Sequence, residues 1–198
     1  MRLADLPLPD TTATRSAEEV LRRYAGPALV NHAVRSAVFA AAYGRLTGVA
    51  YDPELLHVGG LLHDLGLEAP FDSHRLPFEV AGGELAWVFG AGLGWPADRR
   101  RRLADVVVRH MWDDLDPAAD PEGHLLERAT SLDISGRRMD EWPAPLRADV
   151  LARWPRLDLA DRFTAHFADQ TGRKPDSAAA AAMRSGLAER IAANPLGS

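Results

Sequence analysis

Apolar residues in this chain return every three or four positions in segment after segment, and no stretch alternates apolar with polar long enough for a half-buried strand. The pattern predicts an all-α fold, a helical bundle. Residues 1–15, with Pro7 and Pro9, read as an extended lead-in. A short helix is expected from Ser16, with Glu18 and Glu19 in a first turn whose dipole favours acid. Pro27 opens a helix over 28–46 that stops at Gly48, and on it His32, Arg35, Phe39 and Tyr43 share one face. Asp52-Pro53 is an N-cap followed by a first-turn proline. From there Leu55, Leu56, Val58, Leu61 and Leu62 carry a helix to His63-Asp64 and to Gly66, a stop expected to use the positive φ open to glycine. After a loop over 66–77, a helix over 78–90 contains Gly82-Gly83, which lets another backbone approach closely. Further helices are expected over 97–111, with the stripe Leu103, Val106, Val107, His110, and over 121–135, closed by Gly136. The last three fall at 144–153, 157–171 and 176–193. There is no internal repeat, and the chain reads as one domain over 1–198, with a core at 28–136 and the helices of 144–193 packed on it.

Composition narrows the chemistry. A hydrophobic share of 46% fills a sizeable core, and a formal net charge of −5 works against nucleic acid or an anionic membrane as partner. With no cysteine, disulfides and thiolate ligands are excluded, so any metal is held by imidazole and carboxylate, donors that suit zinc, iron or manganese. Met1-Arg2-Leu3-Ala4-Asp5 lacks a signal-peptide run, and no stretch approaches about 18 apolar residues, so a soluble cytoplasmic protein is expected. Its expected partner is a small-molecule substrate; self-association is left open. The run Arg99–Arg102 reads as a solvated face. Trp87, Trp95, Trp142 and Trp154 read as packing elements, and Trp112 as a residue placed to line a pocket.

Polar residues on otherwise apolar faces carry the functional signal. His32 lies on the inward face of its helix, His110 continues an apolar stripe, and Asp133 follows Leu126, Ala129 and Thr130. His63 and Asp64 stand side by side at the end of an apolar run, where burying them unpaired would cost several kcal/mol. A metal ion satisfies such groups together, and His32, His63, Asp64 and Asp133 make a two-His, two-Asp ligand set. The other histidines read as ordinary: His57 packing, His124 solvated in a first turn, His166 in the core, His74 in a loop that reaches toward the pocket mouth.

That ordered set resembles the HD-domain superfamily of metal-dependent hydrolases. Asn31-His32-Ala33-Val34-Arg35 is similar to the family's first-His helix, Leu61-Leu62-His63-Asp64-Leu65-Gly66 to its central signature, and Ala129–Gly136 to the segment carrying its last Asp. Phe78-Glu79-Val80 with the following glycines, and Arg109-His110, look most like the cyanamide hydratase branch. The resemblance implies a hydrolase or hydratase in which one divalent transition metal activates water against a small polar, nitrile-like substrate. Members with two metals carry further histidines, and this chain has Glu79 where the first would stand; a second metal using Glu79 or His110 stays open. His110 and Glu79 are the candidates for proton transfer, and Arg35 for pairing with a ligand Asp or binding an anionic group. Three other readings remain: a phosphohydrolase, a di-iron oxygenase, and a metal-stabilised binding module.

Overall fold

The structure is a computed structural model that describes residues 1–197, and among these every regular element is helical. The helices are α1 (Thr12–Tyr24), α2 (Pro27–Thr47), α3 (Pro53–Leu62), α4 (Phe78–Gly92), α5 (Ala97–Arg109), α6 (Pro121–Ser135), α7 (Ala144–Arg153), α8 (Leu159–Arg173), α9 (Ala178–Arg184) and α10 (Leu187–Ala192). None is long and apolar enough to cross a membrane.

The bundle is organised around α2. Fourteen of its 21 residues are buried, so it has no solvent stripe; α1, α3, α6, α7 and α8 all pack on it. Pro27 in its first turn and Gly48 at φ +73° set its ends as expected. α1 begins four residues before Ser16. Thr11 and Thr14 cap each other there: the Thr14 N–H donates to Thr11 Oγ1 (3.2 Å) and the Thr11 N–H to Thr14 Oγ1 (2.9 Å).

α3 stops at Leu62, and Gly66 has a different task from the one its position suggested. It lies in a short 3-10 turn, Leu65–Leu67, at ordinary φ. A Cβ there would sit 2.0 Å from the Phe78 carbonyl oxygen and 2.9 Å from Gly82 N, so the glycine admits the first turn of α4 against the backbone that follows Asp64. The Gly82-Gly83 pair does the same from the other side. A Cβ on Gly82 would lie 3.2 Å from His63 O, and one on Gly83 2.7 Å from Val108.

The arginine run is not a solvated face. Arg99 pairs with Asp52 and Glu54, and Arg102 with Asp120 and Glu122, which tie α5 to the starts of α3 and α6. Asp52 and Asp120 also cap those helices through Leu55 N (3.0 Å) and Gly123 N (2.9 Å). Of the tryptophans, Trp142 is fully packed, its indole N–H donating to Phe39 O at 3.0 Å. Trp87 lies exposed over Arg100 instead of in the core.

The expected helix over 176–193 is two helices. Gly186 at φ +83° breaks it, Ser177 caps α9 by accepting from Ala180 N (3.2 Å), and α10 turns back toward α6. Phe78, Ile134, Phe163, Phe167, Leu187 and Ile191 form a second apolar cluster beneath these C-terminal helices.

Candidate metal centre

Three histidines from three helices meet beside Asp64. His32 comes from the second turn of α2, His63 from the C-cap that follows α3, and His110 from the C-cap that follows α5; all three are buried. Each ring is fixed through Nδ1. The Nδ1–H of His32 donates to Asp133 Oδ2 (2.6 Å), that of His63 to Gly60 O (2.8 Å), and that of His110 to Val107 O. With the proton on Nδ1, the three Nε2 lone pairs face inward, the arrangement found behind metal-ligating histidines.

Asp64 sits where those nitrogens converge. Its Oδ2 is 3.2 Å from His32 Nε2 and 3.1 Å from His63 Nε2, the two nitrogens are 3.2 Å apart, and Oδ1 is 3.6 Å from His110 Nε2. Neither oxygen accepts a hydrogen bond although the residue is 2% exposed. An ion with ligands at 2.0–2.1 Å separates them by about 2.9 Å at right angles and about 3.3 Å at tetrahedral angles. The observed spacing lies between the two, so the buried group His32, His63 and Asp64 could hold a metal ion. Burial acts to raise the Asp64 pKa, but His63 and the other two imidazoles outweigh it and hold the carboxyl well below the usual range. Burial lowers the His63 pKa, whereas at His32 the contacts with Asp133 and Asp64 overcome burial and raise it.

Asp133, expected as a fourth ligand, is placed behind His32 instead. Its Oδ1 accepts from Arg35 Nε (2.8 Å), and its Oδ2 accepts from Arg35 Nη2 (2.7 Å) and from His32 Nδ1. A two-pronged guanidinium and an imidazole N–H occupy the lone pairs that a metal would need. Burial acts to raise its pKa, but Arg35 and His32 drive it far below the carboxylate norm. Arg35, fully buried, takes the pairing role and does not line the cavity; its Nη1 donates to Trp154 O (3.0 Å) and Pro155 O (3.2 Å). Glu79 is buried in the first turn of α4 with Oε2 unpartnered, and burial raises its pKa, but it neither joins the three ligand atoms nor lines the cavity.

A cavity of about 400 Å³ opens over the cluster. His32, His63, Asp64 and His110 form one wall, and α6, α8, α9 and α10 complete it. Residues 111–113 contribute, Trp112 among them at 51% exposure. The loop over 66–77 does not: Asp72 ties it away, accepting from Gln170 Nε2 (3.0 Å) and Lys174 Nζ (2.9 Å). His74 on that loop is exposed and outside the cavity. His124, expected in solvent, is buried and donates from Nδ1 to Leu115 O (2.7 Å); His166 is half-buried instead of in the core.

Sequence reasoning missed Glu127, Phe163 and Phe167 in the cavity wall, and it missed Arg156 and Asn194, which both donate to the Asp133 carbonyl. Phe163 and Phe167 had a signal in their four-residue spacing on an apolar face. Glu127 had one too, as a charge on the same helical face as Thr130, Ser131 and Ile134. Arg156 and Asn194 had none. A scan against family models matches none, and a search of curated proteins finds no relative.

Proposed function

We propose that this chain is a metal-dependent hydrolase or hydratase of the HD-domain type, acting on a small molecule bound in the 400 Å³ cavity. One observation carries the reading: the carboxylate of Asp64, buried and without a hydrogen-bond donor, faces two Nε2 lone pairs at 3.1–3.2 Å on the wall of an open cavity. A cation shared with those rings satisfies the carboxylate and both lone pairs together, without the added proton that a direct imidazolium pair needs. A divalent transition ion held by His32, His63 and Asp64 supplies a Lewis acid and lowers the pKa of water.

The chain's own residues do the rest. Asp133, fixed by Arg35, orients His32 and makes it a stronger donor through Nδ1. Gly60 O holds His63 in the same tautomer. His110 Nε2, on the cavity wall, would take a proton from the attacking water as the water oxygen bonds to the substrate's carbon and the C–N π pair moves to nitrogen, and the imidazolium would then return the proton to that nitrogen. The donor set supports one ion: among the described residues His32, His63 and Asp64 form the one such group, and Glu79 stays outside it. In the wall Arg137 pairs with Asp113 and lies 3.9 Å from Glu127, while Arg190 donates only to Ser185 and keeps its charge, so a phosphate ester is tested beside a nitrile.

Elemental analysis of the purified protein tests the reading, run beside His63→Ala and Asp64→Asn. The expected result is about one transition ion per wild-type chain and none in either variant. Nitrile hydration and p-nitrophenyl phosphate hydrolysis are then assayed before and after chelation. A variant that keeps its full metal content, or turnover indifferent to chelator, overturns the proposal.

A further inference from the structure

The cavity is far larger than the smallest substrates that water-adding chemistry handles. A molecule of three heavy atoms occupies the share of two or three waters, roughly 60–90 Å³. The available volume is about 400 Å³, within the range of roughly 300–1,000 Å³ of pockets that enclose drug-sized ligands. A three-atom substrate would leave most of that space as water against apolar walls.

The walls have a direction. On α6 the lining face runs from Glu127 to Ser135, eight residue steps and about 12 Å along the axis. Opposite, Phe163 and Phe167 present stacked rings with centroids 4.5 Å apart, and Ile134 and Leu187 add aliphatic surface. Ala178 and Ala181 lie one turn apart on α9 and both line the cavity, Ala178 half-buried and Ala181 exposed. The polar end is distinct: Asp64, with both oxygens unpartnered, points into the cavity beside His63 and His110.

We infer that the substrate is an elongated molecule with an alkyl or aryl body lying along α6, α8 and α9, and with its polar reacting group at one end beside Asp64 and His110. The inference rests on the metal-hydrolase reading of that cluster. Glu127 lies beside Arg128 and Arg137, and Arg137 also pairs with Asp113, so the contacts left for the body are those of the rings and aliphatic side chains.

A homologous series of hydroxamic acids, from acetohydroxamic to octanohydroxamic, separates the two claims. Each carries the same metal-chelating head and differs only in its apolar tail. Binding to the Zn(II)-loaded full-length protein is followed by titration calorimetry at several temperatures. The expected result is affinity rising roughly fourfold per methylene, with a heat capacity change that grows more negative along the series. Ala178→Leu abolishes that rise and leaves acetohydroxamic acid unaffected; Ala181→Phe is the second variant should the first fold poorly. If acetohydroxamic acid binds and affinity is flat along the series, the apolar body is wrong while the metal centre stands. A rise untouched by both variants also overturns the inference, since the tail then lies elsewhere. If no member binds, the metal reading falls and takes this inference with it.

Discussion

Removing one partner of the buried Arg35–Asp133 pair tests both the packing and the chemistry of the site. Both side chains are inaccessible to solvent, and the pair is two-pronged at 2.7 and 2.8 Å. Asp133→Asn keeps the shape and an oxygen acceptor for His32 Nδ1 and Arg35 Nη2, but turns its amide NH2 toward Arg35 Nε and leaves the guanidinium with no anion. Breaking a buried pair in this way costs about 3–5 kcal/mol. For a chain of this size each kcal/mol is worth roughly 2–4 °C, so Tm should fall by roughly 6–20 °C. Arg35→Met should be similarly harmful because it strands the carboxylate. The double variant Arg35→Met/Asp133→Asn removes both charges of the pair, leaving Arg156, 3.5 Å from Asp133 Oδ1, as the one buried charge beside it, and should recover at least about 2 kcal/mol relative to the sum of the singles. The assay is urea unfolding followed by circular dichroism, with metal affinity measured on the same proteins. Asp133→Asn should weaken metal binding about 10- to 100-fold through His32, whereas Asp64→Asn removes it. Two results refute the reasoning. One is additivity of the singles within about 0.5 kcal/mol. The other is an Asp133→Asn protein as devoid of metal as Asp64→Asn, which would make Asp133 a ligand.

Two further predictions concern the frame. Gly66→Ala should be strongly destabilising, by more than about 2 kcal/mol, because its Cβ would meet the Phe78 carbonyl at 2.0 Å; Gly172→Ala, with nothing within 4 Å of the added carbon, should stabilise α8 by about 0.5–1 kcal/mol. Equal effects in thermal melts would refute the close-approach account. Burial lowers the His57 pKa to about 4, against the opposing pull of Glu18, and its Nδ1 has no partner. The unfolded chain therefore takes up the proton first: stability is full above about pH 6.5 and is lost as pH falls toward 4, by about 1–3 kcal/mol after allowing for a half-buried ring. His57→Gln should flatten that part of the pH–stability curve, and an unchanged slope would count against it.

What was legible in the sequence is what is local. Helix positions follow from apolar spacing, and several ends from caps written into a few adjacent residues, Asp52-Pro53 and Gly136 among them. His63-Asp64 could be singled out because adjacent polar residues at the end of an apolar run need a partner, whatever the rest of the fold. His32 and Asp133 stood out for the same reason, as polar residues on apolar faces. Helical periodicity says which way a side chain faces and nothing about what it meets. The mutual capping of Thr11 and Thr14, local as it is, escaped because threonine at both positions lacks the usual acidic partner. The break at Gly186 escaped because an alanine-rich run on either side of one glycine still reads as a single helix.

The tertiary structure decided the division of labour. Asp64 and Asp133 are the same residue type on similar apolar faces, yet one keeps both oxygens free and the other is occupied by a guanidinium from a residue 98 positions away. Gly66 is a helix stop by sequence and a close-approach point in space, because the first turn of α4 lands on it. The cavity, too, is closed by α8, α9 and α10, far from the cluster along the chain. Sequence determined that this is an all-helical protein with a concentrated set of imidazoles and carboxylates; which of them face one another, and what space they overlook, depends on distances between residues that only packing brings together.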